Sequence, residues 1–130
     1  MSGKGHLREA KKLYQKAVEE LERAKEESDG ILLRDACGEG WLSVIEATHT
    51  LFIKKGIKEE ELPRTDRGRR YMVYKYAEEE LELLYKALRD DFHIEGYYDG
   101  SLGFDEVNRD LDRLSLYIQK IEGIKTEGRK

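Results

Sequence analysis

The sequence predicts an all-α protein, an up-down antiparallel four-helix bundle, and three observations carry that expectation. Charged residues make up 40% of the 130-residue chain against 38% hydrophobic, a balance typical of amphipathic helices rather than of sheet sandwiches. The chain holds a single proline, so little interrupts helical runs. Apolar residues recur at three- and four-residue spacing through four long segments. A chain of this length buries one core without staples, which predicts a single domain over residues 1–123 and a flexible C-terminal tail over 124–130.

The first helix is expected over about 5–28. Leu7, Tyr14, Leu21 and Ser28 occupy one heptad position and Ala10, Ala17 and Ala24 the other, a narrow and close-packing seam. The "SDG" at 28–30 supplies the turn. The second helix, about 31–55, is apolar around most of its circumference through Ile31, Leu33, Ala36, Trp41, Val44 and Leu51, so it is central or meets a second chain. Gly38 and Gly40 weaken a helix interior, which predicts a compensating close backbone approach. "KKG" at 54–56 closes it. Residues 57–68 hold the proline and read as a loop with one helical turn at its start, and Thr65 or Asp66 can cap the next helix. That third helix is expected to run unbroken from about 67 to 94, with Tyr74, Leu81 and Leu88 on one row. After the turn "EGYYDGSLG", the rows Phe104, Leu111, Ile118 and Val107, Leu114, Ile121 define the fourth.

Charge and composition narrow the function classes. The net charge is −4 with cations and anions interleaved, so no footprint for duplex DNA is present. No stretch is apolar enough to span a bilayer. The lone Cys37 and the absence of a signal-like apolar run in "MSGKGHLREAKK" predict a cytoplasmic protein, and the dense Glu/Lys/Arg content is that of thermophile surfaces. Cys37 lies in an apolar stretch and reads as a small buried hydrophobe. No Walker loop, Cys-x-x-Cys or Gly-x-Ser-x-Gly elbow occurs, and no cofactor is implied.

Two Glu/Asp-x-x-His pairs, Glu46/His49 and Asp90/His93, have the spacing of bundle metal ligands. The single glutamates that a two-metal site takes from the other helices are missing from the pattern, so no metal is expected. The tyrosines Tyr71, Tyr74, Tyr76 and Tyr85 at helical spacing read as core residues.

The stretch "LRDDFHIEGYYDG", residues 88–100, offers a different constellation. In an α-helix Arg89 and His93 share one exposed face, with Gly96 ending the helix and Asp99-Gly100 making the turn. Two cations at a helix carboxyl end are simply favourable there. A guanidinium and an imidazole together can also bind a phosphodiester and move a proton, with Tyr97 and Tyr98 able to stack a base.

The helical hairpin ending in "SDG", the second helix "GEGWLSVIEATHTLFIKKG" and the Arg…His stretch before a final amphipathic helix together resemble the HEPN superfamily (higher eukaryotes and prokaryotes nucleotide-binding), especially its small archaeal PaREP-type members. The resemblance implies an up-down helical bundle and a homodimer. Its active members are metal-independent ribonucleases of toxin–antitoxin, CRISPR or RNA-processing systems that pair an Arg-x(4 to 6)-His motif across the dimer. Carried over, the catalytic residues are Arg89 and His93, and Tyr97 and Tyr98 the nucleotide- or RNA-binding candidates. "RDDFH" has three intervening residues, one fewer than the motif, and two of them are acidic. Three readings result: a non-catalytic dimeric binding module, partnered by a nucleotidyltransferase, an antitoxin protein or a nucleotide; a ribonuclease acting on single-stranded RNA; and a structural helical protein of unrelated role.

Overall fold

The computed structural model describes residues 2–127, and among them there is no strand. Five helices pack together: α1 (Gly3–Glu27), α2 (Gly30–Lys54), α3 (Asp66–Tyr76), α4 (Glu79–Leu88) and α5 (Phe104–Glu122), with a 3₁₀ turn at Glu59–Glu61. From Arg89 to Tyr98 the chain continues α4 as a π-helix. Among the described residues no helix is long and apolar enough to cross a membrane.

The hairpin of α1 and α2 is built on the alanine seam. Ala10, Ala17 and Ala24 are fully buried, and without larger side chains the two backbones approach closely enough for Ser43 Oγ to donate to the Ala10 carbonyl at 2.7 Å. Between the helices Ser28, not the glycine, takes the left-handed conformation (φ 51°). Asp29 caps α2 by accepting from the Ile31 and Leu32 amides at 2.8 and 3.2 Å. Gly56, at φ +92°, sits just past the end of α2, where only glycine is unstrained.

The expected third helix is two helices. Ala77 and Glu78 are extended, at ψ 148° and 156°, which rotates α3 away from the face of α4. Tyr74 therefore does not share the row of Leu81 and Leu88. Tyr71 and Tyr74 are 62% and 70% exposed while Tyr85 is buried, so only part of the tyrosine row is core. Thr65 caps α3 as expected, accepting from the Gly68 amide at 3.0 Å.

Cross-helix contacts fix the relative directions. Lys120 reaches Glu80 at 2.9 Å and Arg113 reaches Asp91 at 3.8 Å, so α5 runs antiparallel to α4 and its π extension. Tyr117 hydroxyl meets Thr48 Oγ1 at 2.7 Å in the interior. Lys54 Nζ donates to the carbonyls of Ile121, Glu122 and Ile124 at 2.7–3.0 Å, tying the end of α2 to the carboxyl end of α5 and the residues just beyond it. In the expected tail, the Glu127 amide donates to the Lys54 carbonyl at 2.8 Å; residues 128–130 lie outside the described residues.

Candidate functional site

The π-helix decides how the stretch 89–98 is presented. Its wide turns place successive side chains differently from an α-helix, and Gly96, expected to end the helix, is buried inside it. A Cβ on Gly96 would meet Cys37 Sγ at 2.5 Å and the Asp91 carbonyl at 2.8 Å. Phe92 lies over Gly40, where an added Cβ would meet its ring at 3.0–3.1 Å, and Tyr97 lies over Gly38 at 3.0 Å. The two helix-weakening glycines of α2 are thus the notches into which the π-helix packs, the close approach that their positions predict.

Arg89 and His93 are half-buried rather than on an exposed face. The Arg89 guanidinium is committed to Asp66 at the start of α3: Nε donates to Oδ1 at 2.9 Å and Nη2 to Oδ2 at 2.7 Å. Its Nη1 reaches Asp90 only at 3.4 Å. This fork raises the Arg89 pKa further and holds the Asp66 carboxyl below its usual range. His93 makes no ion pair with Asp90. Its ring stacks on Trp41, with centroids 4.9 Å apart and planes at 16°, and Tyr98 meets its edge at 5.0 Å. Burial pushes the His93 pKa down, the Asp66 carboxylate opposes this, and Arg89 and Arg69 add to it. The candidate pair is therefore close in space but engaged with different partners.

Tyr97 and Tyr98 extend the aromatic row, with ring centroids 5.6 Å apart. Arg34 anchors their backbone, Nε donating to the Tyr97 carbonyl at 2.7 Å and Nη2 to that of Tyr98 at 2.8 Å. Between this row and α2 opens a groove of about 350 Å³ with Trp41, Leu42, His93 and Tyr97 on its walls and Asp35 and Glu39 beside them. Leu42 and Tyr97 are 49% and 45% exposed there. Arg69, buried beneath, lies 6.0 Å from the Trp41 ring centre. The sequence pattern pointed to His93 and Tyr97 but not to Trp41, because a tryptophan in an apolar helix reads as core until the helix packed over it is known.

A second cluster surrounds Glu46 and His49. The ligating atoms of His6, Glu46 and His49 all lie within 4.8 Å of one another. His6 Nδ1 is 2.6 Å from Glu46 Oε2, and its Nε2 is 2.8 Å from Glu59 Oε2 on the 3₁₀ turn. Burial opposes protonation of His6, but the hydrogen bonds to Glu46 and Glu59 outweigh it and raise the pKa. His49 stands edge-on to His6, centroids 5.3 Å apart, and neither of its buried ring nitrogens has a hydrogen-bond partner. Burial, His6 and Arg69 together push its pKa down to about 4. Glu46 and His49 do not pair with each other: Glu46 turns to His6, a residue 40 positions away that no local pattern connects to it.

The chain matches none of the family models and none of the curated proteins with which it was compared, so the HEPN resemblance rests on the "SDG" hairpin, the residues of α2 and the Arg…His stretch alone.

Proposed function

We propose that this protein is a non-catalytic, HEPN-like binding module, an up-down four-helix bundle of α1, α2, α4 with its π extension, and α5, elaborated by α3 and acting as a homodimer. The observation that carries this reading is the aromatic groove on α2 and the π-helix. It offers the half-exposed ring of Tyr97 and the half-buried ring of His93, which stacks on the buried Trp41, with the carboxylates of Asp35 and of Glu39, the latter paired with Lys16, beside them. This combination suits a cationic side chain of a protein partner through cation–π and charge contacts. The same carboxylates disfavour a nucleotide phosphate. A partner of the nucleotidyltransferase or antitoxin class, as the resemblance implies, would present such a segment.

The ribonuclease alternative requires Arg89 to reach a phosphate, and its fork is already filled by Asp66. The test uses Trp41, the single tryptophan of the chain, as reporter. Titration with a tetra-arginine peptide is expected to change its fluorescence saturably, AMP is expected not to, and Asp35→Lys is expected to weaken the peptide at least several-fold. In parallel, single-stranded RNA is expected to stay intact under chelator. RNA cleavage by the wild type that disappears in Arg89→Ala and His93→Ala would replace this reading with the catalytic one.

A further inference from the structure

The cluster at the open end of the α1–α2 hairpin has a composition that the groove does not use and that protein packing alone does not explain. His49 is the clearest anomaly: a half-buried imidazole in which both ring nitrogens are shielded from solvent and unpartnered. Buried polar atoms without partners are uncommon and call for a specific reason. Its neighbours are another imidazole and a carboxylate, each held on a different turn of rigid helix, His6 on α1 and Glu46 with His49 one turn apart on α2.

We propose that His6, Glu46 and His49 form a binding site for one divalent d-block cation of the zinc class, with Glu59 as the carboxylate that orients His6. Two imidazoles and one carboxylate are a donor set that zinc takes with a further position left to water, and imidazole ligation favours zinc, nickel, copper or cobalt over magnesium or calcium. The second coordination layer supports the assignment independently. A metal-bound histidine characteristically donates its other ring N–H to a carboxylate, which fixes tautomer and ring direction. Here His6 presents Nδ1 toward Glu46 and the cluster while Nε2 meets Glu59 Oε2 at 2.8 Å.

Tetrahedral zinc with bonds of about 2.0–2.1 Å spaces its ligand atoms about 3.3 Å apart. A set lying within 4.8 Å is within about 1.5 Å of that spacing, and His6 Nδ1 and Glu46 Oε2, now 2.6 Å apart, open slightly to reach it. On binding, the proton that His6 Nδ1 shares with Glu46 passes to solvent, and both atoms turn to the metal. The ion then bridges the start of α1 and the centre of α2, and through Glu59 it engages the 3₁₀ turn before α3.

The site is tested on the full chain by zinc competition against a chromophoric chelator and by the visible spectrum of the cobalt(II) form. One ion per chain is expected, with the intense d–d bands of a four- or five-coordinate centre. His49→Ala and Glu46→Gln are each expected to abolish them. Because a buried substitution can perturb folding, Glu59→Gln is the companion: its side chain is 40% exposed, and loss of the orienting carboxylate is expected to weaken zinc about ten- to a hundredfold with helicity unchanged. No zinc uptake by the wild type overturns the proposal, as does uptake that survives in His49→Ala and Glu46→Gln alike.

Discussion

Arg89 shows how a residue type can suggest chemistry that its partner withdraws. A guanidinium five-donor fork binds a carboxylate and a phosphate in the same bidentate way, so whichever anion lies within reach decides the role. Asp66 is that anion, 23 positions earlier in the chain, and it ties α3 to the start of the π-helix. We expect Arg89→Ala to lower stability by about 1–2 kcal/mol, the scale of a charged hydrogen-bonded pair reduced by partial exposure. Asp66→Ala should cost a similar amount, and the double variant clearly less than the sum. Strictly additive losses in urea unfolding would refute this pairing. Local sequence identified Arg89 and His93 as the residues to look at, and it read Cys37 correctly as buried, with a thiol pKa pushed up to about 12 mainly by burial. What it could not supply was the partner in each case: Asp66 for Arg89, Trp41 for His93, His6 for Glu46. Each lies 23 or more positions away, beyond any helical periodicity.

At the level of elements, legibility depends on the strength of local signals. The alanine row of α1 and the double apolar row of α5 are periodic along their whole length; α1 forms within two residues of the expected 5–28, and α5 spans both of its apolar rows. The break between α3 and α4 occurs at Ala77–Glu78 without glycine or proline to announce it, so an unbroken helix is the natural reading. The π-helix likewise has no periodic signature, because it is imposed by packing against α2. Gly96 and Gly40 record that packing, and with Gly30 as a reference they give graded expectations. Gly96→Ala forces a methyl to within 2.5 Å of Cys37 Sγ and 2.8 Å of a backbone carbonyl, so it should destabilise by about 1–3 kcal/mol. Gly40→Ala, against the tip of the Phe92 ring at 3.0 Å, should cost less because the ring can shift. Gly30→Ala, outside that interface and with nothing within 4 Å of the added Cβ, is the reference and should be neutral or slightly stabilising. The order of the three midpoints in urea is the measurement. If Gly96→Ala proves as mild as Gly30→Ala, the tight seating of the π-helix on α2 is wrong.

For the whole molecule, the pH dependence of stability reports on how α5 is joined to the π-helix. Asp110 on α5 is fully buried and faces Asp91 from the π-helix, Arg113 from its own helix and Cys37 from α2. Burial and the neighbouring Asp91 carboxylate raise its pKa to about 7, and the contact from Arg113 at 3.0 Å only partly opposes them. The Asp110 carboxyl is thus largely protonated in the folded protein near pH 6. A folded pKa above the unfolded value of about 3.9 means that the folded state binds the proton more tightly. The resulting stabilisation is complete below the unfolded value and is lost as pH rises through about 7. Asp66 acts in the opposite sense: its lowered pKa contributes stability that is lost only in acid. Histidines titrate across part of the same range, so the informative quantity is the difference between wild type and Asp110→Asn, which keeps a neutral hydrogen-bonding side chain at all pH values. Thermal midpoints measured from pH 5.5 to 8.5 should fall for the wild type relative to Asp110→Asn as pH rises toward 7, and the difference between the two should level off above about pH 7. Curves that stay parallel below pH 7 would show that Asp110 is ionised throughout, and a protonated carboxyl between α5 and the π-helix would have to be abandoned.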